Sequence, residues 1–180
     1  MRRRCHLFFF ASLGFKVDAV DFPSTNYNGM RGIRALYRYF KSPVSIYSVD
    51  LDGQFRLPRR NYGFALVLGI LYHLKNPFFV MEQLSHSTKY CFLSTRVAKF
   101  DPSRSSRLEG LPIAYLVSPT ETNNDATNYW IFSRTGLLRL FERTGWEVCC
   151  YKHFGNLEDS DPASDVGDER AFCLLKSTKV

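Results

Sequence analysis

"VDLDGQFRLPRRNYGFALVLGILYHLKNPFFVMEQL", Val49 to Leu84, is the stretch whose reading decides the architecture. Its Asp50-Leu51-Asp52-Gly53 is a turn by composition, because aspartate bonds its own backbone and glycine tolerates positive φ. From Tyr62 to Leu71 nearly every residue is apolar, as in a strand covered on both faces in the middle of a parallel sheet. Asn76 then offers a helix cap, and Pro77 a first helical position that needs no amide hydrogen. The helix runs through Ser85 with Val80, Met81 and Leu84 facing inward, and Tyr90 to Val97 follows as another strand. A strand, helix, strand unit of this kind belongs to an α/β sheet.

The alternation continues on both sides. Upstream, Val17 to Phe22 reads as a short strand closed by Pro23. Ser24, Thr25 and Asn26 supply caps for a helix in which Met30, Ile33, Tyr37 and Phe40 share one face, with Arg31, Arg34, Arg38 and Lys41 on another. A solvated outer face explains that basic stripe without a ligand, and phosphate contact is the sharper alternative. Pro43 ends the helix, and Val44 to Val49 is the next strand. Downstream, residues 99–127 are long, polar and irregular, the pattern of a lid or insertion. Asn128 to Phe132 is extended, Ser133 caps a helix carrying Leu137, Leu138, Leu140 and Phe141, and Thr144-Gly145 stops it. Trp146 to Tyr151 and Ala171 to Leu175 are closing strands. Between them Glu158, Asp159, Asp161, Asp165, Asp168 and Glu169 form an acidic loop expected in solvent.

Composition limits the alternatives. A chain of 180 residues, 45% hydrophobic and 16% aromatic, suits one domain over residues 1–180. The net charge of +7 comes from scattered Lys and Arg, which fits a solvated basic surface as well as an anionic partner. No apolar run approaches the roughly 20 residues of a membrane-spanning helix, so the expectation is a soluble, cytoplasmic protein without a membrane partner. Arg2 to Arg4 followed by Leu7 to Leu13 has two parts of a secretory signal, yet Gly14-Phe15-Lys16-Val17-Asp18 is a poor cleavage site. The five cysteines form no CxxC pair and sit mostly in apolar stretches, where a reduced thiol acts as a small hydrophobe. His6, His73, His86 and His153 are too dispersed to suggest a metal site.

The segment Val49 to Leu84 resembles the middle of class I S-adenosylmethionine-dependent methyltransferases, where an acidic turn, a hydrophobic strand and a "LYHLKNP"-like junction recur in that order. "LGFKVDAVDF", Leu13 to Phe22, resembles the family's second strand with its terminal acid. "NYWIFSRTGLLRLFERTGWEV", Asn128 to Val148, resembles the late helix and strand after a substrate-shaping insertion. The resemblance implies a Rossmann-like, mostly parallel sheet with flanking helices, S-adenosylmethionine as cofactor, and a small metabolite or RNA as methyl acceptor. It implies ribose contacts from Asp21, an adenine contact from Asp50 with Leu51 against the ring, and close backbone approach at Gly69. Turn formation alone is the other reading of Asp50.

Tyr72 and His73 would line the cavity between cofactor and acceptor. His73 would orient the acceptor or take its proton, or else only fasten the strand-to-helix turn. Tyr129, Trp130 and Ser133 would contact the acceptor, although aromatics that begin an element also serve as core. Family members open with a strand and a glycine-rich turn, roughly GxGxG, which does not occur in this sequence. The expectation is therefore an N-terminally truncated domain, with an active enzyme, a non-catalytic relative and a basic RNA-binding module as the three functional readings.

Overall fold

In the computed structural model, residues 5–26, 28–41, 43–164 and 166–180 are described, and the chain divides into two units, Met1–Pro58 and Arg59–Val180. Arg2 to Arg4 and Asp165 lie outside the described residues.

The first unit is α1 (Cys5–Ser12), β1 (Asp18–Asp21), α2 (Arg31–Phe40) and β2 (Ser45–Ser48). β1 and β2 pair in parallel, from Asp18 opposite Ser45 to Asp21 opposite Ser48, and α2 is the crossover that a parallel pair requires. Phe8, Ala11, Ala19, Met30, Ile33 and Val44 form its core, with Leu7, Val17, Leu36 and Ile46 packed against them. The expected inner face of α2 holds at Met30 and Ile33 but fails at Tyr37 and Phe40, which are exposed. A two-stranded layer is too narrow to cover the whole helix. The expected caps also differ: Met30, at a φ of 63°, is the N-cap without a side-chain bond. Asn26 is used elsewhere, its Oδ1 accepting from the amides of Asn28 and Met30 and its Nδ2 donating to Asp21.

The second unit is built around one long strand. Its elements are β3 (Tyr62–Leu68), a 3-10 turn (Leu71–His73), α3 (Pro77–Ser85), β4 (Thr88–Ala98), β5 (Ala114–Leu116), β6 (Trp130–Ser133), α4 (Arg134–Arg143), β7 (Trp146–Gly155) and β8 (Glu169–Ser177). β4 takes β3 in parallel from Thr88 to Ser94, and β6 in parallel at Val97 and Ala98. β8 runs antiparallel to β4 from Tyr90 to Val97, and β7 runs antiparallel to β8. The α/β class holds, but the sheet is mixed rather than mostly parallel. β3 and β4 are parallel because α3 carries the chain back between them; β7 and β8 are antiparallel because the loop of residues 156–168 simply reverses it.

Leu71, Met81, Leu93, Ile131, Leu137, Phe141 and Leu175 are among the fully buried side chains. The caps read from the sequence are present: Asn76 accepts from Phe79 N at 3.1 Å, and Ser133 accepts from Gly136 N at 2.9 Å. Gly145 follows α4 at a φ of 84°, a conformation that suits glycine at a helix end.

Three further expectations change. β3 is neither central nor covered on both faces: among the described residues it pairs with β4 alone, and Phe64 is 46% exposed. Residues 99–127 are not wholly irregular, because β5 lies within them and pairs antiparallel with β6. The acidic loop is partly buried, with Asp161 at 1% exposure and Glu169 at 2%. Each of these two carboxylates has bonded partners, the condition on which a charge stays inside a protein. Arg104 reaches Asp161 at 3.1 Å and Asp159 at 2.6 Å, while Glu169 accepts from His153 Nδ1 at 2.6 Å and from the Ser160 hydroxyl.

Cys91 and Cys173 are buried free thiols, and burial pushes Cys173 up to about 12. Cys149 and Cys150 instead stand exposed where the β7–β8 register shifts. Among the described residues no helix is long and apolar enough to cross a membrane.

Candidate functional site

Parallel pairing brings the carboxyl ends of β1 and β2 to one edge of the first unit. Asp21 closes β1, its carbonyl accepts from Val49 N at 3.0 Å, and Asp50 comes next in the chain. The Asp21 carboxylate is held locally: Oδ1 accepts from Phe22 N at 2.9 Å and Oδ2 from Asn26 Nδ2 at 2.7 Å. Asp50 Oδ1 accepts from Asp52 N at 3.0 Å, so it does form the turn, with Leu51 half-buried beside it. One bond leaves most of the acceptor capacity of a carboxylate unspent.

In the second unit, β3 is followed by Gly69, which is buried, has a φ of 64° and donates to Ser94 O at 2.8 Å. A side chain at that backbone conformation would be strained, so glycine lets the strand turn abruptly into Leu71–His73. Tyr72 is buried with Ala98, Val117 and Ile131. Its carbonyl accepts from Tyr129 N at 2.8 Å, which fastens the end of the 99–129 segment to the junction. Its hydroxyl accepts from Arg170 Nη1 at 3.4 Å, and the Arg170 guanidinium lies 5.8 Å from the ring centre.

Burial opposes the charge on Arg170, but the Tyr72 hydroxyl and the Asp168 carboxylate together hold its pKa above the ordinary value. Asp168 accepts from Arg170 Nε at 3.0 Å and stands 3.4 Å from Arg96 Nε. Arg96 and Arg170 are opposite one another in the β4–β8 ladder, so Asp168 offsets two like charges that would otherwise repel. Arg96 is itself buried, and its Nη2 donates to the carbonyls of Asp161 and Ser164.

His73 is half-buried next to the Tyr72 ring, with 4.4 Å between ring centres. Its Nδ1 is 2.9 Å from Thr127 O and 3.1 Å from Thr127 Oγ1. Thr127 in turn donates its hydroxyl to Asp125 Oδ1 at 2.6 Å and its amide to the same oxygen at 2.9 Å. These two bonds, chiefly the hydroxyl's, hold the Asp125 carboxyl below the usual aspartate range, against a smaller opposing effect of burial.

Tyr129 sits under Lys75 Nζ at 5.9 Å, and Trp130 Nε1 donates to Lys75 O at 3.2 Å. Tyr72, His73, Tyr129 and Trp130 therefore lie near one another. Ser133 is placed otherwise: it is buried, it caps α4, and its hydroxyl is engaged with the carbonyls of Leu111 and Ile113. Open clefts of about 590 and 680 Å³ lie at residues 120–124 and beside Arg107 and Arg134, and neither is lined by Tyr72 or His73.

The sequence reading missed Asp125, Thr127, Arg170, Asp168 and Arg96. An Asp-x-Thr pair signals a local turn, which is how Asp125 and Thr127 bond one another, but nothing in it points to a histidine 54 residues away.

No family model and no curated protein matches the chain. Solved structures do. The N-terminal domain of EvdMO1 with SAH bound aligns with a TM-score of 0.61 at 13% identity, over 91% of this chain and 65% of that one. TehB from Haemophilus influenzae aligns with a TM-score of 0.60 at 14% identity, over 94% of this chain and 52% of that one. The cyclase SpnF aligns with a TM-score of 0.61 at 10% identity, over 91% of this chain and 66% of that one. The chain thus spans 52–66% of the length of these structures. At such identities the likeness is one of fold.

Proposed function

We propose that this chain, which has the fold of S-adenosylmethionine-dependent methyltransferases, binds S-adenosylmethionine and transfers its methyl group to a small metabolite or to RNA. The observation that carries this reading is the likeness to a domain solved with SAH bound. The residues present fit the nucleoside part of that cofactor. Two carboxylates stand at the carboxyl ends of adjacent parallel strands, where α/β sheets take nucleotides, and Asp21 is held there by two bonds of its own. In this reading Asp21 accepts the ribose hydroxyls, Asp50 accepts the adenine amino group, and Leu51 lies against the ring.

When bound, the sulfonium supplies an already activated methyl group. The protein's task is then mainly to hold the acceptor in line and keep water away. Tyr72, steadied by Arg170, and the Tyr129 and Trp130 rings orient the acceptor. His73 takes its proton where the reacting atom carries one. Ser133 serves the fold as a cap. Calorimetric titration with S-adenosylmethionine tests the reading: binding is expected, with a loss of about tenfold or more in affinity in Asp21→Ala, the least that one hydrogen bond to a charged group is worth. No heat with the unaltered chain, or an Asp21→Ala variant that binds as well, would sink it.

RNA as the acceptor is favoured by the surface of α2. Arg31, Arg34 and Arg38 are exposed there, interleaved with the exposed rings of Tyr37, Tyr39 and Phe40. Cations track a phosphate backbone and aromatic faces stack on unpaired bases. Affinity for single-stranded RNA should fall with salt and collapse when the three arginines become glutamate. Affinity unchanged by those substitutions leaves the small-metabolite acceptor.

A further inference from the structure

Imidazole in water prefers to carry its proton on Nε2, so a histidine that accepts a proton through Nε2 has to be held in the other form. The surroundings of His73 do this. A carbonyl oxygen can only accept, so the 2.9 Å contact with Thr127 O makes Nδ1 the donor. The hydroxyl hydrogen of Thr127 is committed to Asp125 Oδ1 at 2.6 Å, which turns the Oγ1 lone pairs toward the same Nδ1, 3.1 Å away. Both acceptors belong to one residue, and that residue is pinned on either side. Asp125 holds its amide at 2.9 Å, Asn128 N donates to Asp125 O at 3.1 Å, and Tyr129 N donates to Tyr72 O at 2.8 Å. Asn128 is buried, and its Nδ2 donates to Thr122 O at 3.2 Å. The segment is therefore fixed to the junction from which His73 projects.

We propose that Asp125 and Thr127 are the positioning residues of His73: they hold its imidazole in the Nδ1–H tautomer and leave the Nε2 lone pair to accept the proton of the methyl acceptor. This rests on the base role given to His73 above. In the step itself the Nε2 lone pair forms the new N–H bond, and the electrons of the broken bond stay on the acceptor's heteroatom. The imidazolium then returns the proton to water through Nε2, with Nδ1–H still bonded to Thr127. A wrongly placed imidazole proton disables a histidine base even when the ring stays in position.

The tautomer can be read without any cofactor, from the imidazole 15N shifts of His73 in the labelled, otherwise unaltered chain at a pH where the ring is neutral. The expected spectrum has Nδ1 protonated and Nε2 bare. Asp125→Ala should move it toward the mixture seen in water, Thr127→Val should do so in part, and Thr127→Ser should restore it. In turnover, Asp125→Ala should lower kcat by about tenfold, a fraction of what a general base contributes, with KM nearly unchanged. An Nε2–H spectrum in the unaltered chain overturns the proposal, and so does one that Asp125→Ala leaves unmoved. If the tautomer behaves as expected but His73→Gln keeps full kcat, the base role fails and the proposal with it. That outcome is distinguishable from a failure of the positioning itself.

Discussion

The two units hold their candidate residues by different means. In the first, Asp21 is bonded by a side chain five residues away and Asp50 by an amide two residues away. In the second, His73 is held by Thr127, 54 residues along the chain, and Tyr72 by Arg170, 98 residues along. The core differs in the same sense: Phe8 to Val44 gather around a pair of four-residue strands, whereas β4 and β8 share a ladder eight pairs long, with the buried Arg96 at its end beside the partly exposed Asp168. Local bonding shapes an acid within one short stretch of chain. Long-range bonding couples a site to the stability of the whole layer.

This contrast is most exposed to test at Arg96, where the largest effect is expected. Arg96→Ala leaves Asp168 beside Arg170 alone and strips the carbonyls of Asp161 and Ser164 of their donor. Losing this buried side chain and leaving two carbonyls without that donor, at about 1–3 kcal/mol each, makes a loss of about 3–5 kcal/mol. Urea unfolding should show that loss, and hydrogen exchange should place it in residues 59–180. A loss below about 1 kcal/mol would mean that the network is not what secures the β4–β8 end.

Next in size is Ile33→Ala, which removes the one fully buried side chain that α2 itself contributes. Large-to-small changes of this kind cost about 2–5 kcal/mol, and a small core able to collapse belongs at the lower end. Exchange should quicken over residues 5–58. A change spread evenly over both units would mean that their cores are not supported separately.

Ser133→Ala sharpens the comparison from inside the second unit. If its hydroxyl serves as a cap, stability falls by about 1 kcal/mol while the KM for the acceptor stays put. A KM that rises several-fold with stability intact would return Ser133 to the acceptor site.

The same distinction explains what could be read from the sequence. The start of α3 at Asn76-Pro77, the Ser133 cap of α4 and the end at Gly145 were legible because each depends on a few adjacent residues. So was the junction at Tyr72 and His73, through its resemblance to a known family. The mixed sheet was not, because periodicity marks a strand without telling its direction. The burial of Asp161 and Glu169 was not either, since an acidic, Pro- and Gly-containing loop reads as solvent-exposed until Arg104, Arg96 and His153 are known to face it. Asp125 and Thr127 were hidden for the same reason: their mutual turn is local, but its purpose lies at His73.

The smallest expected effect lies in acid and concerns that turn. The folded-state pKa of Asp125 is lowered first by the Thr127 hydroxyl and then by the Thr127 amide. The unfolded chain, with an ordinary aspartate of about 3.9, therefore binds this proton more tightly than the folded chain does. The contribution is present in full above that ordinary value and is lost as pH falls through the lower folded value. Asp125→Asn removes the titration and keeps an acceptor for the Thr127 hydroxyl. Its urea midpoint should accordingly lie slightly below the unaltered chain's at pH 6 and close on it as the pH falls below the ordinary aspartate value. Solvent around a largely accessible carboxylate keeps the difference small. A gap that widens toward acid would reverse the sign, and would mean that Asp125 is held in its neutral form and that the bond from Thr127 is not the one that orients His73.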